Sequence, residues 1–328
     1  MRPPAVVRAV AIATAVVVVQ SLLVAFFAWP SLRMAPRDLP VVVAGPAPAV
    51  AAVEAKLDSI RPGGFEVTGV ADEAAADRAL RDRAAYAAFI PGADGTTMTV
   101  HVASAASPTV ASVLTQQLAG PQVRVVDVVP VDPDDPRGAG LASAFLPMLL
   151  TAIVAAALLW MAVRGRWGRV VGVVTFAVLA GLAEAAILVY GYGALAGSYP
   201  AIAAVLALIA AAITGVVTGL AAVFGRIGVA LGALVVFVLG NPLSAINSAP
   251  ELLPQPWGAV GQFLPPGAGG TLLRSVAYFD GAAAATPAWT LAAYALVGLA
   301  LILLARPTPV ATPEPVPVDR EGVKAGTP

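Results

Sequence analysis

The chain has 328 residues, of which 59% are hydrophobic and only 12% are charged, and its mean hydropathy is +0.86. Soluble domains carry charge on about a quarter of their residues, so this composition indicates a membrane protein with several spans. The net charge is zero, which gives no electrostatic reason to expect a nucleic-acid partner. The absence of cysteine excludes a disulfide framework, iron–sulfur clusters and thiolate zinc sites, and a single histidine leaves carboxylates as the main possible metal ligands.

Six apolar segments reach or approach the roughly 20 residues that a helix needs to cross a bilayer. The sequence predicts them at 9–29, 141–163, 170–192, 200–223, 227–246 and 287–305. The first could instead be a cleaved signal peptide, because Arg2 and Arg8 precede it. Its apolar run is longer than the roughly 7–15 residues of a signal peptide and has no clean A-x-A cleavage site. These features favour a retained anchor that ends at Trp29 and Pro30, an interfacial aromatic residue followed by a helix breaker.

The arginines at the N-terminus, in the short turns between predicted spans and directly after the last span fall on one side of the membrane. Arg2 and Arg8 precede the first span, and the turn RGRWGR joins the second span to the third. Short loops rich in Lys and Arg stay in the cytoplasm, so both termini are predicted to be cytoplasmic in a protein of the cell membrane. Residues 1–8 and the Pro-rich tail 306–328, which we expect to be disordered, then lie inside, and residues 30–140 lie outside.

Residues 30–140 differ from the rest of the chain, because they carry most of its charge and alternate between two kinds of pattern. Strands are predicted in LPVVVAG, FEVTGV, YAAFIPG, TTMTVHVAS and VRVVDVVPV. Helical spacing appears in PAVAAVEAKLDSI, ADEAAADRALRDRAA and PTVASVLTQQLAG. The order β-α-β-α-β-β-α-β predicts an extracytoplasmic α/β domain with a mixed sheet, covered on at least one face and inserted into a polytopic α-helical membrane protein.

The chain contains no motif of a hydrolase or of a nucleotide-binding site: G-x-S-x-G, H-E-x-x-H and the Walker sequence G-x-x-x-x-G-K-[ST] are absent. His101 alternates with apolar neighbours on a predicted strand, which favours a solvent-side or hydrogen-bonded structural residue over a catalytic one. Asp132, Asp134 and Asp135 could hold a hard cation, but their spacing and the neighbouring prolines favour a solvated linker into the second span. We therefore expect no enzymatic activity and no cofactor in this chain.

Glu184 is the one acidic residue within a predicted span. A charge near the middle of a bilayer is costly, so an intramembrane carboxylate is a candidate for function. The predicted spans contain no Lys, Arg or His to pair with it. Glu184 could be protonated, could line a water-filled cavity or could reach Arg274 from the external side. A role in transport or gating and a structural hydrogen bond stand as equal alternatives.

Residues 141–305 form a five-span transmembrane domain in this prediction, and small residues dominate most of its spans. Gly215 and Gly219 stand four residues apart in the fourth span of the chain. Such spacing lets helices approach one another closely. It predicts that the spans pack as a bundle, within the chain or across a dimer interface.

The connection 247–286 before the last predicted span has too many prolines for a single helix and is too apolar for an ordinary solvated loop. Within it, GTLLRSVAYFDG predicts about two helical turns that open at Gly270 and stop at Gly281. This re-entrant-like segment should lie at the external membrane surface or dip into it, with Arg274 and Asp280 facing the lipid headgroups or one another. It is either a strap that seals the bundle or a gate at the external end of a translocation path.

The layout of one span, an α/β domain and five further spans with a broken connection before the last resembles the permeases of type-two ABC exporters. The stretches PRGAGLASAFLPMLL and VLGNPLSAINSAPELLPQPWGAVGQFLPPGAGGTLLRSVAYFDGA are similar to a group of actinobacterial-type membrane proteins related to the phage infection protein. The resemblance implies a homodimer in which external helices cap the pathway and each permease pairs with a separate cytoplasmic ATP-binding subunit. Beside Glu184, the candidate pathway or gate residues are then Pro265, Pro266, Gly267, Arg274, Tyr278, Phe279 and Asp280.

The leading hypothesis from the sequence is a permease subunit of an ABC-type exporter that moves an amphiphilic or hydrophobic compound outward. ATP would be bound by the partner subunit, and the spans would contact membrane lipid. The main alternative is a non-transporting scaffold or receptor whose external α/β domain binds envelope material or a partner protein. The short cytoplasmic turns favour this alternative, whereas the broken LPPGAGG connection favours transport.

Overall fold

The computed structural model describes residues 5–92, 97–117, 120–135 and 138–305. The predicted tail 306–328 and the first four residues of the predicted cytoplasmic N-terminus lie outside these ranges. The helices are α1 Ala5–Leu32, α2 Ala47–Ile60, α3 Glu73–Arg81, α4 Pro108–Gln117, α5 Ala139–Ala162, α6 Arg166–Ala185, α7 Tyr199–Phe224, α8 Arg226–Ala233, α9 Gly240–Leu243, α10 Trp257–Gln262, α11 Pro265–Tyr278 and α12 Ala285–Leu304. The strands are β1 Leu39–Ala44, β2 Phe65–Val70, β3 Ala87–Pro91, β4 Met98–Val102 and β5 Val123–Asp127.

Six helical segments are long and apolar enough to cross a membrane, which confirms the predicted number of spans. They comprise α1, α5, α6 with the π-helical turn Ala186–Gly191, α7, the run Arg226–Leu243 and α12. The fifth of these runs includes a second π-helical turn, Leu234–Leu239, between α8 and α9. One boundary differs from the prediction, because α1 continues through Pro30 to Leu32 rather than stopping at the proline.

Helix α7 lies at the centre of the bundle and packs against α5, α6, α8, α11 and α12. Its small residues make this possible, since glycine lets two backbones touch. A Cβ atom added to Gly219 would lie 2.6 Å from the carbonyl oxygen of Gly298 on α12, and one added to Gly298 would collide with the backbone at Gly215. The Gly215 and Gly219 pair therefore packs within the chain, against α12.

The first helix stands apart from this bundle. The apolar stretch of α1 is exposed along its length, and the helix meets the rest of the described chain near its C-terminal end. There the ring centroid of Phe27 lies 5.8 Å from that of Phe237 in the fifth span. The rest of the described chain thus leaves most of the surface of α1 uncovered.

Strands β1 to β5 and helices α2 to α4 form what we call the α/β unit. Its five strands have the order β2-β1-β3-β4-β5, and all neighbours are parallel except β3 and β4, which confirms the predicted mixed sheet and order of elements. Helices α2 and α4 cover one face of the sheet, and α3 covers the other. Both faces are therefore buried, as the apolar strand sequences require.

The chain enters the α/β unit at the start of β1 and leaves it at the end of β5, and both points lie at the same edge of the sheet. The registers place the start of β3 beside Val41 of β1 and opposite Val102, the end of β4, which in turn neighbours Asp127, the end of β5. At this edge the backbone N–H of Arg37 donates to the carbonyl of Glu251 at 3.1 Å. The connection before α12 is thereby joined to the α/β unit.

Candidate functional site

The connection before the last span folds as a 3₁₀ turn Pro250–Leu252 followed by α10 and α11. Helix α11 has 14 residues and begins at Pro265, not at Gly270 as the sequence predicted. Proline suits the first turn of a helix, where its missing N–H would have no partner within the helix, so Pro265 and Pro266 start α11 instead of preventing it. A side chain at Gly267 would collide with the backbone of Gly261, which shows how closely α11 begins on α10.

Helix α11 is not an exposed helix on the outside of the bundle. It is buried for most of its length between α7 and α12, and its charged residue Arg274 is only 6% exposed. The Arg274 guanidinium donates a hydrogen bond to the backbone carbonyl of Ile246. The expected pairing of Arg274 with Asp280 is wrong, because a protein carbonyl accepts the hydrogen bond of the Arg274 guanidinium. Asp280 is exposed just beyond the end of the helix.

The two aromatic candidates at the end of α11 point to different partners. The hydroxyl of Tyr278 donates to the carbonyl of Ala194, in the connection between α6 and α7, at 3.0 Å. Phe279 is buried in the core of the α/β unit on the side of α3, and the guanidinium carbon of Arg83 lies 5.1 Å from its ring centroid. These two residues thus fasten α11 to the bundle and to the α/β unit respectively.

A cavity of about 300 Å³, which we call the junction cavity, lies between the α/β unit, the connection and the start of α12. Much of its lining is polar. The polar and charged lining residues are Arg83, Tyr86, Ser244, Ser248, Glu251, Gln262, Thr271, Arg274 and Thr286. Such a chamber, with several convergent polar groups, has the character of a ligand site, and its size is near the lower end of such sites.

Arg83 reaches into this junction from the turn after α3. Its Nη1 atom donates to the carbonyl of Thr271 at 2.9 Å and to the hydroxyl of Ser275 at 2.6 Å, both on α11. Within the described parts of the chain, no carboxylate oxygen lies within 4.0 Å of a nitrogen of Arg83 or Arg274. Two guanidinium groups are therefore held in place by neutral acceptors, without a direct ionic partner.

The carboxylate that lines the junction cavity, that of Glu251, is hydrogen-bonded to a tyrosine. The hydroxyl of Tyr86 donates to Glu251 Oε2 at 3.0 Å. Burial, and then the nearby charge of Glu251, raise the pKa of Tyr86 above its usual range, so its phenol is neutral. Burial, and then repulsion from Arg83, lower the pKa of Arg274 to about 10, which leaves its guanidinium protonated at neutral pH.

Glu184 lies elsewhere, two residues before the π-helical turn that ends the third span. Its Oε2 atom is shielded from solvent and has no hydrogen-bond partner among the described residues. The proposed link between Glu184 and Arg274 is therefore not formed. The structure does not bring Glu184 together with the candidates on α11.

Two other sequence candidates have local structural partners. His101 is buried on β4, and its Nδ1 atom lies 2.6 Å from Asp77 Oδ1 on α3, which fits the hydrogen-bonded structural role. Asp135 accepts hydrogen bonds from the backbone N–H groups of Ala139 at 2.9 Å and Gly140 at 2.6 Å. It thus supports the N-terminus of α5, where N–H groups lack partners within the helix.

Arg83, Tyr86 and Glu251 were not singled out from the sequence. Arg83 lies near the end of a predicted helix, and Tyr86 stands at the start of the next predicted strand. Glu251 comes more than 160 positions later in the chain. No local pattern joins them. A charged residue beside Pro250 in so apolar a connection was the one available signal.

Comparison of the chain with protein-family models, with curated proteins and with solved structures gives no match. The junction cavity and the six candidate spans are therefore the features of the molecule that bear on its function.

Proposed function

We propose that this chain is the permease subunit of an ABC-type exporter that moves an amphiphilic or hydrophobic compound outward. In this proposal the termini are cytoplasmic, the α/β unit lies outside the cell membrane, and ATP is bound by a separate subunit. The observation that carries the proposal is the junction cavity, a polar chamber between the α/β unit and a helical connection buried in the bundle. A membrane protein that only sealed its bundle would have no need to enclose two arginines there.

Helix α11 is the external gate in this proposal. It contacts the central α7 and the last span α12, and Arg83 holds it from the α/β unit. A movement of the α/β unit would be transmitted to α11 through these hydrogen bonds and would change how α11 packs against α7 and α12. The exposed length of α1 offers an apolar surface for membrane lipid or for a second copy in a homodimer.

A second candidate function is a non-transporting receptor or scaffold. The turns on the arginine-rich side support it, because α5 and α6 are separated by residues 163–165 and α7 and α8 by Gly225 alone. Such short turns provide little surface on which an ATPase subunit could dock. An open groove of about 730 Å³ beside α4 on the α/β unit, lined in part by Ser112, Gln116 and Asp127, would be the binding surface for a partner.

Capture of the tagged full-length protein from its native membrane in a mild detergent, with mass spectrometry of retained proteins, separates the two functions. The exporter requires a stoichiometric cytoplasmic protein with a Walker motif. Recovery of envelope proteins without such an ATPase would reject the exporter and support the receptor. Exchange of Gly165 for a bulky tagged insertion, which should block docking on the arginine-rich side, provides a matched control for specific capture.

A further inference from the structure

We propose that the junction cavity binds the anionic headgroup of an amphiphile, through carboxylate or phosphate oxygens held by Arg83 and Arg274. The inference deepens the proposed function, because it names the chemical class of the compound at the gate. Three features of the site support it: unpaired charge, net charge and position relative to the membrane.

The first feature is the lack of ionic partners for buried charge. Taking a guanidinium out of water is costly unless an anion or several hydrogen bonds compensate for it. Arg274 is 6% exposed, and the hydrogen bond that the structure gives its side chain goes to the Ile246 carbonyl. Arg83 uses Nη1 for both of its hydrogen bonds to α11. Guanidinium N–H groups thus remain for an oxyanion, which the planar fork of arginine binds well.

The second feature is the charge balance of the cavity. Two guanidinium groups face one carboxylate, Glu251, and Tyr86 is neutral. One net positive charge therefore remains, which favours an anionic headgroup over a neutral or cationic one. Ser248 supplies a hydroxyl group that can donate to a further oxygen, whereas the hydroxyls of Ser244 and Thr271 already donate to oxygens of Asn241 and Gln262.

The third feature is the level of the cavity along the spans. Thr286 and Pro287, which begin the last span α12, form part of its wall. Trp289 is 74% exposed one turn along α12, and Trp257 is 44% exposed on α10. Tryptophan is enriched at membrane–water interfaces, so the cavity lies at headgroup level. A volume of about 300 Å³ suits a headgroup, and the acyl chain would stay outside against apolar surface.

The test measures thermal unfolding of the full-length protein in nanodiscs of zwitterionic phosphatidylcholine. Dodecyl phosphate and laurate should raise the unfolding midpoint in proportion to the logarithm of their concentration, because a ligand of the folded state stabilises it. Dodecanol and dodecyltrimethylammonium have the same chain without the anion and should not. A rise with all four probes would overturn the proposal. Inorganic phosphate that bound as tightly as dodecyl phosphate would overturn the assignment to an amphiphile and indicate a free anion.

Variants then assign the effect to the cavity. Arg83→Gln and Arg274→Gln should weaken binding of dodecyl phosphate at least about tenfold, the size of one lost charge-assisted contact. Arg37→Gln is the matched control, because Arg37 lies at the same junction, bonds backbone carbonyls and does not line the cavity. It should bind the probe as the wild type does. Equal weakening in all three variants would overturn the proposal.

A variant with the opposite effect keeps the test decisive if an arginine variant does not fold. Glu251→Gln removes the competing negative charge and retains an acceptor for Tyr86, so binding should become tighter by about tenfold. Unchanged or weaker binding in Glu251→Gln would contradict the site. Binding that follows these rules in a protein that captures no ATPase would reject the exporter but leave this inference standing.

Discussion

Arg83 and Ser275 are joined by a hydrogen bond of 2.6 Å although 192 positions separate them in the chain. The bond connects the turn after α3 to the buried face of α11. The same Arg83 also donates to the Thr271 carbonyl, so one side chain of the α/β unit is hydrogen-bonded to two successive turns of the proposed gate.

Arg83→Ala should free α11 from the α/β unit and lower the free energy of unfolding by about 2–3 kcal/mol, since hydrogen bonds to a charged group are lost. Amide hydrogen exchange of residues 271–278 should accelerate. Ser275→Ala is the control, because Arg83 keeps the Thr271 carbonyl and the expected loss is about 1 kcal/mol. Unchanged exchange in Arg83→Ala would contradict the coupling.

The α7–α12 contact predicts different outcomes for neighbouring glycines. Gly219→Ala and Gly298→Ala place a methyl group against backbone and should each cost about 3 kcal/mol of stability. Gly215→Ala should be tolerated, because its Cβ would lie 3.6 Å from the nearest atom, an ordinary contact, and alanine favours the helix. Thermal unfolding in detergent measures all three, and equal effects would refute the described crossing.

Tyr86 predicts an alkaline loss of stability. Its pKa is raised in the folded protein, so its contribution is complete below the unfolded value of about 10 and is lost as pH rises from there toward the folded value. Tyr86→Phe should lower the unfolding midpoint at about pH 8 but reduce the further loss between about pH 9 and 11. Tyr192→Phe, at a ring that is 70% exposed, is the control. Parallel profiles for wild type and Tyr86→Phe would rule this out.

Glu184→Gln tests the intramembrane carboxylate. We expect ATP-dependent movement of radiolabelled dodecyl phosphate in vesicles to fall at least about tenfold, because the variant cannot carry a charge or exchange a proton. The unfolding midpoint should not fall, since Oε2 has no hydrogen-bond partner among the described residues to lose. Normal transport would remove Glu184 from the pathway and leave it a structural residue.

The orientation can be measured directly because the chain has no cysteine. Lys56→Cys places a thiol on the exposed side of α2, and Arg164→Cys places one in the turn between α5 and α6. In intact cells, an impermeant maleimide should label the first and not the second. The reverse pattern would invert the proposed topology and move the junction cavity to the inside.

The sequence predicted the spans and the α/β unit well because their signals are local. Runs of about 20 apolar residues and alternating β-branched strands need no knowledge of distant partners. The connection before α12 was harder. Pro265 and Pro266 were interpreted as breakers, although proline at the first turn begins a helix as readily as it ends one.

The junction cavity could not be predicted for a different reason. An arginine in an amphipathic segment suggests a face turned to water, whereas Arg274 turns toward the Ile246 carbonyl and the cavity. In the chain, its neighbour Arg83 precedes the second to fifth spans, whereas its neighbour Glu251 follows them. Only the tertiary fold brings these charges together, so the sequence singles out Arg274 among the residues that line the cavity but not Arg83, Glu251 or Thr271.

The core of the α/β unit includes Ala249 and Leu252, although both follow the fifth span. During synthesis the ribosome releases β1 to β5 long before it makes these residues. Part of the apolar face of the sheet therefore stays exposed until the fifth span has been inserted and the connection packs against it. A chain truncated before the connection should be degraded more quickly than one truncated after it. Cellular proteases and chaperones would then recognise an incomplete membrane bundle by the exposed apolar face of the sheet.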